Sequence, residues 1–251
     1  MGKLRLDQVL VARQLAPSRA RAQAIVLAGK VFVDGRLADK AGALVAEGAA
    51  VEVHRADHAF VSRGGVKLAG ALDGFGMDVR CLRCLDLGAS TGGFTDCLLQ
   101  RGAAQVIAVD VGYGQLAHRL RVDPRVVVRE RTNARTLTAA DIGGSVDLAV
   151  VDASFIGLAK LLPAIRACTR DAGEILALVK PQFEVGREEA SRGKGVVRDE
   201  GVRAKAIDRA VDGVRSEGFI VLGLRDCALA GPKGNVEAFV HARKPERVTS
   251  R

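Results

Sequence analysis

Four ionisable residues that are far apart in the sequence lie within or next to segments that we predict to be strands or helices. Asp152 ends the run V-D-L-A-V-V-D, Lys180 ends E-I-L-A-L-V-K, and Glu237 lies inside the last apolar run. Lys67 follows the glycine pair of S-R-G-G-V-K. Because ligands bind at the carboxyl ends of parallel strands, the four side chains could converge there. Lysines and carboxylates gathered in such a place are candidates for acid–base chemistry, and we take these four as candidate catalytic residues.

Two interpretations of this set are open at the level of residue types. A lysine acts as a base near neutral pH only if burial or a second cation lowers its pKa, and the two lysines could do so for each other. Alternatively, two structural salt bridges, Lys67–Glu237 and Lys180–Asp152, would explain the same residues.

A glycine-rich turn, D-L-G-A-S-T-G-G, closes an apolar run at residues 83–87. Glycines allow a tight turn and a close approach of the backbone to a ligand. Asp110 ends the next apolar run, about 22 residues after Gly88, where a carboxylate can accept both hydroxyls of a ribose. Asn133, after the third run, could lie beside an adenine. The candidate cofactor-binding residues are Asp86, Gly88, Ser90, Thr91, Gly92, Gly93, Asp110 and Asn133.

The chemistry of this turn favours S-adenosylmethionine as the cofactor. The chain has no G-K-[ST] sequence for a nucleoside triphosphate, and the turn is not a G-x-G-x-x-G, since Ser90 stands at the second glycine position. Asp86 would repel a pyrophosphate, whereas S-adenosylmethionine has no phosphate and carries positive charge. A structural turn without a ligand is the alternative.

The residues that follow the fourth and fifth predicted strands limit which kinds of methylation the chain could catalyse. The fourth strand ends in D-A-S-F, not in the [N/D]-P-P-[Y/F] loop of amine methylation. The fifth ends in K-P-Q, without the nucleophilic cysteine that methylation of cytosine at carbon 5 requires. Oxygen methylation needs only a hydroxyl aligned with the methyl group and a group that takes its proton. The sequence therefore favours methyl transfer to a hydroxyl.

The chain after residue 63 alternates strands and helices. Several strands are continuous apolar runs, which is typical of a parallel sheet covered on both faces. The last two strands are joined by A-L-A-G-P-K-G-N without a helix and should form a hairpin. We predict an α/β fold, a seven-stranded Rossmann-like methyltransferase sheet with one antiparallel strand. The predicted strands are 83–87, 105–110, 126–129, 147–152, 174–179, 219–225 and 235–241, and the predicted helices are 65–73, 93–101, 113–121, 157–169 and 202–216.

A small α+β domain precedes this sheet. Leu6 and Leu10 mark a first helix, Ser18 is a suitable N-cap for a second helix, and Gly29 ends it. V-F-V-D-G-R then predicts a strand that enters an Asp-Gly turn. The predicted division of the chain is a small domain at 1–58, a linker at 59–63 and a methyltransferase domain at 64–251.

The charge of the chain favours a polyanionic partner. The net charge is +9 over 251 residues, and aromatic residues make up only 4% of the chain, so a nucleic-acid surface would depend on charge more than on stacking. Positive charge is concentrated in residues 1–30, whose only acidic residue is Asp7. A generally basic protein would give the same pattern.

The sequence disfavours a membrane protein, a secreted protein and a metal-dependent protein. The chain lacks a run of about 18 apolar residues and an apolar signal core. The five cysteines are scattered, so we expect a cytoplasmic protein without a disulfide framework. Cys81 and Cys84 form a lone C-x-x-C, which we interpret as two small core residues and not as a metal site.

The order lysine, aspartate, lysine, glutamate resembles the tetrad of the FtsJ-like ribose 2′-O-methyltransferases. The segments R-L-D, S-R-A-R-A and G-K-V-F-V-D-G are similar to the RNA-binding domain first seen in ribosomal protein S-four. Together with S-R-G-G-V-K-L, D-L-G-A-S-T-G-G-F-T-D, V-K-P-Q-F-E and G-K-G-V-V-R-D, they resemble the TlyA family over nearly the whole chain.

This resemblance implies a ribosomal RNA cytidine 2′-O-methyltransferase that acts on 16S or 23S RNA, or on both. It implies that Lys180 deprotonates or orients the ribose hydroxyl, that Lys67 and Asp152 hold its geometry and charge, and that Glu237 completes the network. The family also carries the label haemolysin, so a membrane-active protein is one alternative, and an RNA-binding ribosome assembly factor without catalysis is another. The implied RNA-binding residues are Arg5, Ser18, Arg19, Arg21 and Lys30.

Overall fold

The computed structural model describes residues 2–53, 59–185, 196–231 and 234–246. The chain divides into two compact units, Met1–Arg63 and Gly64–Arg251, which we call the N-terminal and the C-terminal unit. Part of the predicted first domain, residues 54–58, lies outside the described residues, so the bounds of the domains and of the linker stay a proposal.

The N-terminal unit packs two helices against short antiparallel strands. Strand β1 pairs with β4, and β2 pairs with both β3 and β5. The two helices bury an apolar core to which Leu6, Leu10 and Ala22 contribute side chains without exposed surface. The elements are β1 (Lys3–Arg5), α1 (Leu6–Ala12), α2 (Arg19–Leu27), β2 (Val31–Val33), β3 (Arg36–Leu37), β4 (Leu44–Ala46) and β5 (Val51–Val53).

The helix-capping and turn residues of the N-terminal unit adopt the conformations that the sequence predicts. The Ser18 hydroxyl accepts a hydrogen bond from the Arg21 amide and caps α2. Gly29 has a φ of +67° just after α2, and Asp34 and Gly35 have φ values of +49° and +73° in the turn after β2. Both turn residues therefore adopt the left-handed conformation that tight hairpins need.

The C-terminal unit contains a seven-stranded sheet in the order β11-β12-β10-β9-β6-β7-β8. Strand β12 is antiparallel to both of its neighbours, and the remaining pairs are parallel. The predicted fold class is thus confirmed. The elements are α3 (Arg63–Phe75), β6 (Arg83–Leu87), α4 (Gly93–Gln100), β7 (Gln105–Val109), α5 (His118–Arg121), β8 (Val126–Arg129), β9 (Val146–Val151), α6 (Leu162–Cys168), β10 (Thr169–Val179), α7 (Pro181–Glu184), α8 (Glu200–Ser216), β11 (Ile220–Asp226) and β12 (Ala238–Arg243).

The core of this unit lies on both faces of the central strands. Leu85, Ile107, Val150 and Ile175 have no exposed surface, as continuous apolar runs in a covered parallel sheet require. Each such side chain contributes about 1.5–3 kcal/mol when fully buried. This rigid sheet fixes the positions at which its strands end.

Three predictions about local structure are wrong. The helix predicted at 113–121 is only α5, because Gly114 has a φ of +70° and interrupts the helical path. The helix predicted at 157–169 is a short 3₁₀ helix at Leu158–Lys160 followed by α6. Cys81 and Cys84 were both predicted to be core residues. Of the two, Cys84 is buried, whereas Cys81 is exposed in a turn with a φ of +62°.

Candidate active site

The sheet register places three of the four candidate catalytic residues at one end of the sheet. Val179 of β10 pairs with Ala238 of β12, so Lys180 and Glu237 are the next positions of these two strands. Asp152 follows β9 directly, and β9 is the parallel neighbour of β10. Glu237 therefore precedes the final strand and does not lie inside it, which corrects the sequence-based placement.

Lys180 is held by the residues that follow β9. Its Nζ lies 2.6 Å from Asp152 Oδ1 and donates a hydrogen bond of 2.8 Å to the hydroxyl of Ser154. It also lies 3.4 Å from the backbone carbonyl of Asp152. The lysine side chain is 10% exposed, so most of its surface is buried.

Lys67 and Glu237 form a second, more deeply buried ion pair. Lys67 lies on α3, and its Nζ donates to Glu237 Oε2. The exposed fractions of the two side chains are 8% and 2%. A buried pair of this kind is destabilised strongly when one partner is removed, because the other charge stays buried.

A cysteine that the sequence did not single out lies near both ion pairs. The Cys227 amide donates to the Glu237 carbonyl at 2.8 Å. Burial raises the pKa of the Cys227 thiol, and the charges of Lys67, Glu237 and Asp152 all act on it. The backbone of Cys227 therefore lies beside that of Glu237.

The glycine-rich turn approaches the end of β9 closely. Gly88 has a φ of +88°, and a Cβ atom at this position would lie 2.9 Å from the backbone carbonyl oxygen of Asp152. Gly92, with a φ of +95°, is the N-cap of α4, and Gly93 is its first residue. The two ion pairs are those that a structural role predicts, and of the two only Lys180–Asp152 is shown to lie against this turn, so the catalytic role of the four residues stays a prediction.

Asp86 has a buried carboxylate with one oxygen that lacks a partner. Its Oδ2 accepts hydrogen bonds from the Thr95 amide at 2.9 Å and the Thr95 hydroxyl at 2.6 Å. Its Oδ1 is buried and has no hydrogen-bond partner among the described residues. Burial raises the pKa of Asp86 to about 7, and the charges of Asp152 and Asp110 act in the same direction. A cationic ligand group would satisfy this oxygen.

Asp110 is the second carboxylate next to the glycine-rich turn, and it accepts hydrogen bonds from backbone amides. Its Oδ2 accepts from the Ser90 amide at 2.8 Å, and its Oδ1 accepts from the Gly112 amide at 2.7 Å. Each oxygen keeps a further lone pair for a ribose hydroxyl. The Thr91 carbonyl accepts from the Ala117 amide at 3.2 Å, which ties the turn to the start of α5.

Asn133 is exposed and caps a short helix. Its Oδ1 accepts from the Arg135 amide at 3.1 Å, at the start of the 3₁₀ helix Ala134–Thr136. The role of Asn133 beside an adenine stays a prediction, since its carbonyl oxygen serves this cap.

The RNA-binding candidates occupy the N-terminal unit. Arg5 and Arg19 both pair with the carboxylate of Asp7. Arg21 is exposed on α2, and Lys30 is half-buried just before β2. Ser18 uses its hydroxyl to cap α2, so an additional contact of this hydroxyl with phosphate stays a prediction.

Comparison with known proteins shows two families along the chain. The FtsJ-like methyltransferase family matches residues 60–244, and the S4 domain matches residues 4–51. A protein of Mycobacterium tuberculosis (strain CDC 1551 / Oshkosh) named 16S/23S rRNA (cytidine-2′-O)-methyltransferase TlyA is 50% identical over 242 residues, which cover 96% of this chain and 90% of that protein. The chain belongs to the TlyA family of FtsJ-like methyltransferases.

Further TlyA-family relatives carry the name hemolysin. Hemolysin A of Brachyspira hyodysenteriae is 38% identical over 95% of this chain and 99% of that protein. A solved structure from Streptococcus thermophilus, also named as a hemolysin, has a TM-score of 0.75 and 38% identity, and it covers 99% of this chain and 92% of that one. Among the described residues, no helix is both long enough and apolar enough to cross a membrane.

Membership of the TlyA family confirms the resemblance stated from the sequence motifs. It also establishes a methyltransferase fold with an N-terminal S4 domain. Among the residues that the structure describes, no cluster of three or more histidines, cysteines or carboxylates could hold a metal ion. The roles of the individual site residues stay predictions.

Two residues next to the candidate site of this TlyA-family protein, Phe155 and Glu184, were not singled out by sequence reasoning. Phe155 is 91% exposed with a φ of +66°, and its ring centroid lies 5.3 Å from that of Phe183. Glu184 accepts a hydrogen bond from the Leu158 amide at 2.7 Å, and burial raises its pKa. An aromatic residue in D-A-S-F, within a chain poor in aromatics, was the available signal for Phe155.

Proposed function

We propose that this protein transfers the methyl group of S-adenosylmethionine to the 2′-oxygen of a cytidine in ribosomal RNA, in the cytoplasm. The observation that carries the proposal is the position of Lys180 and Asp152, paired at 2.6 Å directly against the glycine-rich turn. The nature of the acceptor follows from the name of the relative that is 50% identical over 96% of the chain.

The turn fits S-adenosylmethionine in its chemistry. The buried Oδ1 of Asp86 lacks a partner and suits a positively charged group, and Asp110 keeps acceptor capacity for a ribose. Gly88 allows the backbone of the turn to pass close to Asp152, because the Cβ atom of any larger residue would lie too close to the Asp152 carbonyl oxygen. When bound, S-adenosylmethionine supplies a methyl group that is already activated on a sulfonium.

The residues of the chain would position the acceptor and manage its proton. Lys180 would contact the ribose hydroxyl through its Nζ, which pairs with Asp152 and donates a hydrogen bond to Ser154. As the methyl carbon exchanged its bond to sulfur for a bond to the hydroxyl oxygen, a neutral Lys180 Nζ would accept the hydroxyl proton, after its ammonium form had released a proton to solvent. Because the methyl group is activated beforehand, positioning supplies most of the acceleration.

The site also offers a surface for an unpaired nucleotide. RNA loops are commonly recognised by stacking of exposed bases on aromatic rings. Phe155 presents its ring to solvent one residue after Ser154, which binds Lys180. Backbone strain at a φ of +66° in a non-glycine residue is typical of functional sites.

The proposed reaction is tested by methyl transfer to purified ribosomal subunits that lack the modification. We expect tritium from labelled S-adenosylmethionine to enter ribosomal RNA at a cytidine, where reverse transcription at low nucleotide concentration then stops. A protein that binds the subunits and leaves both RNAs unlabelled would refute the proposed activity and favour a non-catalytic assembly factor.

The pKa of Asp86 gives a pH dependence of cofactor binding. A bound cation favours the carboxylate, so binding releases a proton, and affinity should rise as pH increases through about 7 before it levels off. Titration calorimetry with S-adenosylmethionine in the absence of RNA, in buffers of different ionisation enthalpy, measures this release. The Asp86→Asn variant should bind with little dependence on pH. An affinity of the wild type that is constant from pH 6 to pH 8 would contradict this role of Asp86.

A further inference from the structure

Asp7 is a fully buried carboxylate at the start of α1 that binds three side chains. The Arg5 guanidinium donates from Nε to Oδ1 at 3.1 Å and from Nη2 to Oδ2 at 2.9 Å. Arg19 and Gln23 donate to Oδ2 at 3.2 Å and 3.1 Å. The Asp7 side chain has no exposed surface, whereas 43% of Arg5 and 55% of Arg19 are exposed.

The guanidinium group of Arg5 is also fixed from a second side. A Cβ atom at Gly42 would lie 3.2 Å from both Nη1 and Nη2 of Arg5, so the group rests against the backbone at this glycine. The fork to Asp7 uses Nε and Nη2 of Arg5, so Nη1 takes no part in it, and 43% of the Arg5 side chain is exposed. Arg5 is therefore restrained in position and orientation, yet it is still able to donate.

Two arginines from different elements converge on this one carboxylate. Arg5 precedes α1 and Arg19 is the first residue of α2, and both pair with Oδ2 of Asp7. A free arginine loses about 2 kcal/mol of side-chain entropy when it is immobilised. Arginines that are held before an anion arrives lose less on binding, which is the advantage of preorganisation.

We propose that Asp7 is a positioning residue of the RNA-binding surface, which holds Arg5 and Arg19 as a pair that receives a phosphate group of RNA. This inference rests on the proposed function and specifies how its RNA is bound. The favourable hydrogen bonds to Arg5 hold the pKa of Asp7 well below its usual range, so Asp7 is charged at every pH at which RNA binding is measured.

For a substitution of Asp7, the proposal and simple charge counting predict opposite changes in RNA affinity. Asp7→Asn removes a negative charge, so charge counting expects tighter binding of RNA. A positioning role expects weaker binding, because asparagine lacks the negative charge that attracts both arginines and its amide nitrogen cannot accept the hydrogen bond of Arg5 Nε. We expect the dissociation constant for purified ribosomal subunits to rise about tenfold at moderate salt.

The slope of log affinity against log salt concentration should also become shallower by about one phosphate contact. The matched control is Asp39→Asn, which removes a charge from an exposed aspartate of the same unit. This control should bind as tightly as the wild type or slightly more tightly. Cofactor affinity, which belongs to the C-terminal unit, should be unchanged in both variants. Equal or tighter binding by folded Asp7→Asn, with an unchanged slope, would overturn the proposal.

Gly42→Ala tests the proposal if Asp7→Asn does not fold. The added methyl group must displace the Arg5 guanidinium by a few tenths of an ångström without a change in charge. Weaker binding with a shallower slope supports the proposal, and wild-type binding and slope overturn it. Methyl transfer is measured separately: if wild type binds RNA but transfers no methyl group, the proposed reaction fails while the role of Asp7 stands.

Discussion

Replacing Lys180 with alanine is expected to lower the rate of methyl transfer by about 10²- to 10⁴-fold, the range of a lost acid–base group. The Nζ of Lys180 is the atom that Asp152 and Ser154 orient, at 2.6 Å and 2.8 Å. Its removal deletes the group proposed to contact the ribose hydroxyl and leaves the proposed RNA-binding residues of the other unit in place. Single-turnover transfer of labelled methyl to ribosomal subunits measures the effect.

Lys160→Ala provides the matched control for this variant. Lys160 is exposed on the 3₁₀ helix Leu158–Lys160, and its loss changes the net charge by the same amount. We expect this control to retain transfer and Lys180→Ala to retain binding of subunits. If Lys180→Ala transfers methyl groups as fast as the wild type, the catalytic assignment of Lys180 is wrong.

Replacing Glu237 with glutamine is expected to lower the free energy of unfolding by about 3–5 kcal/mol, because the ammonium group of Lys67 stays buried without its carboxylate. The side chains are 2% and 8% exposed, so solvent screens the pair little. Urea unfolding of the single variant and of the Lys67→Met, Glu237→Gln double variant measures this energy. The double variant should recover most of the stability, since no unpaired charge is buried.

Activity separates the catalytic from the structural role of this pair. We expect the double variant to remain defective in methyl transfer although it is stable, since the charges near Asp152 are altered. Asp212→Asn, which breaks the exposed ion pair of Asp212 with Arg215, serves as the control for stability and should unfold like the wild type. A double variant with full activity would show that the Lys67–Glu237 pair only stabilises the fold.

The strand ends could be predicted because long apolar runs define them. Asp152 and Lys180 follow runs of buried residues, and the sheet register brings those ends together. The antiparallel strand was predictable because A-L-A-G-P-K-G-N leaves no room for a crossover helix. Strands β1, β3 and β4 were not predicted, since each has only two or three residues that are mostly exposed.

The contacts that complete the sites could not be predicted because they depend on tertiary packing. Nothing in the sequence shows that Asp86 has a buried oxygen without a partner, or that Asp7 is buried beneath two arginines. Cys227 lies beside Glu237 because the chain after β11 pairs with the segment before β12. Residue types therefore indicate the chemistry, and the register and burial indicate which atoms can perform it.

The central claim, methyl transfer to a ribose 2′-oxygen, is tested most directly by alkaline hydrolysis of the labelled RNA. The 2′-hydroxyl is the nucleophile of alkaline cleavage, so a methyl group on this oxygen protects the adjacent phosphodiester bond. We predict that wild-type protein places the label in an alkali-resistant dinucleotide whose first residue is cytidine, and that Lys180→Ala places almost none there. Label recovered in mononucleotides would show that a base is methylated and would contradict the account.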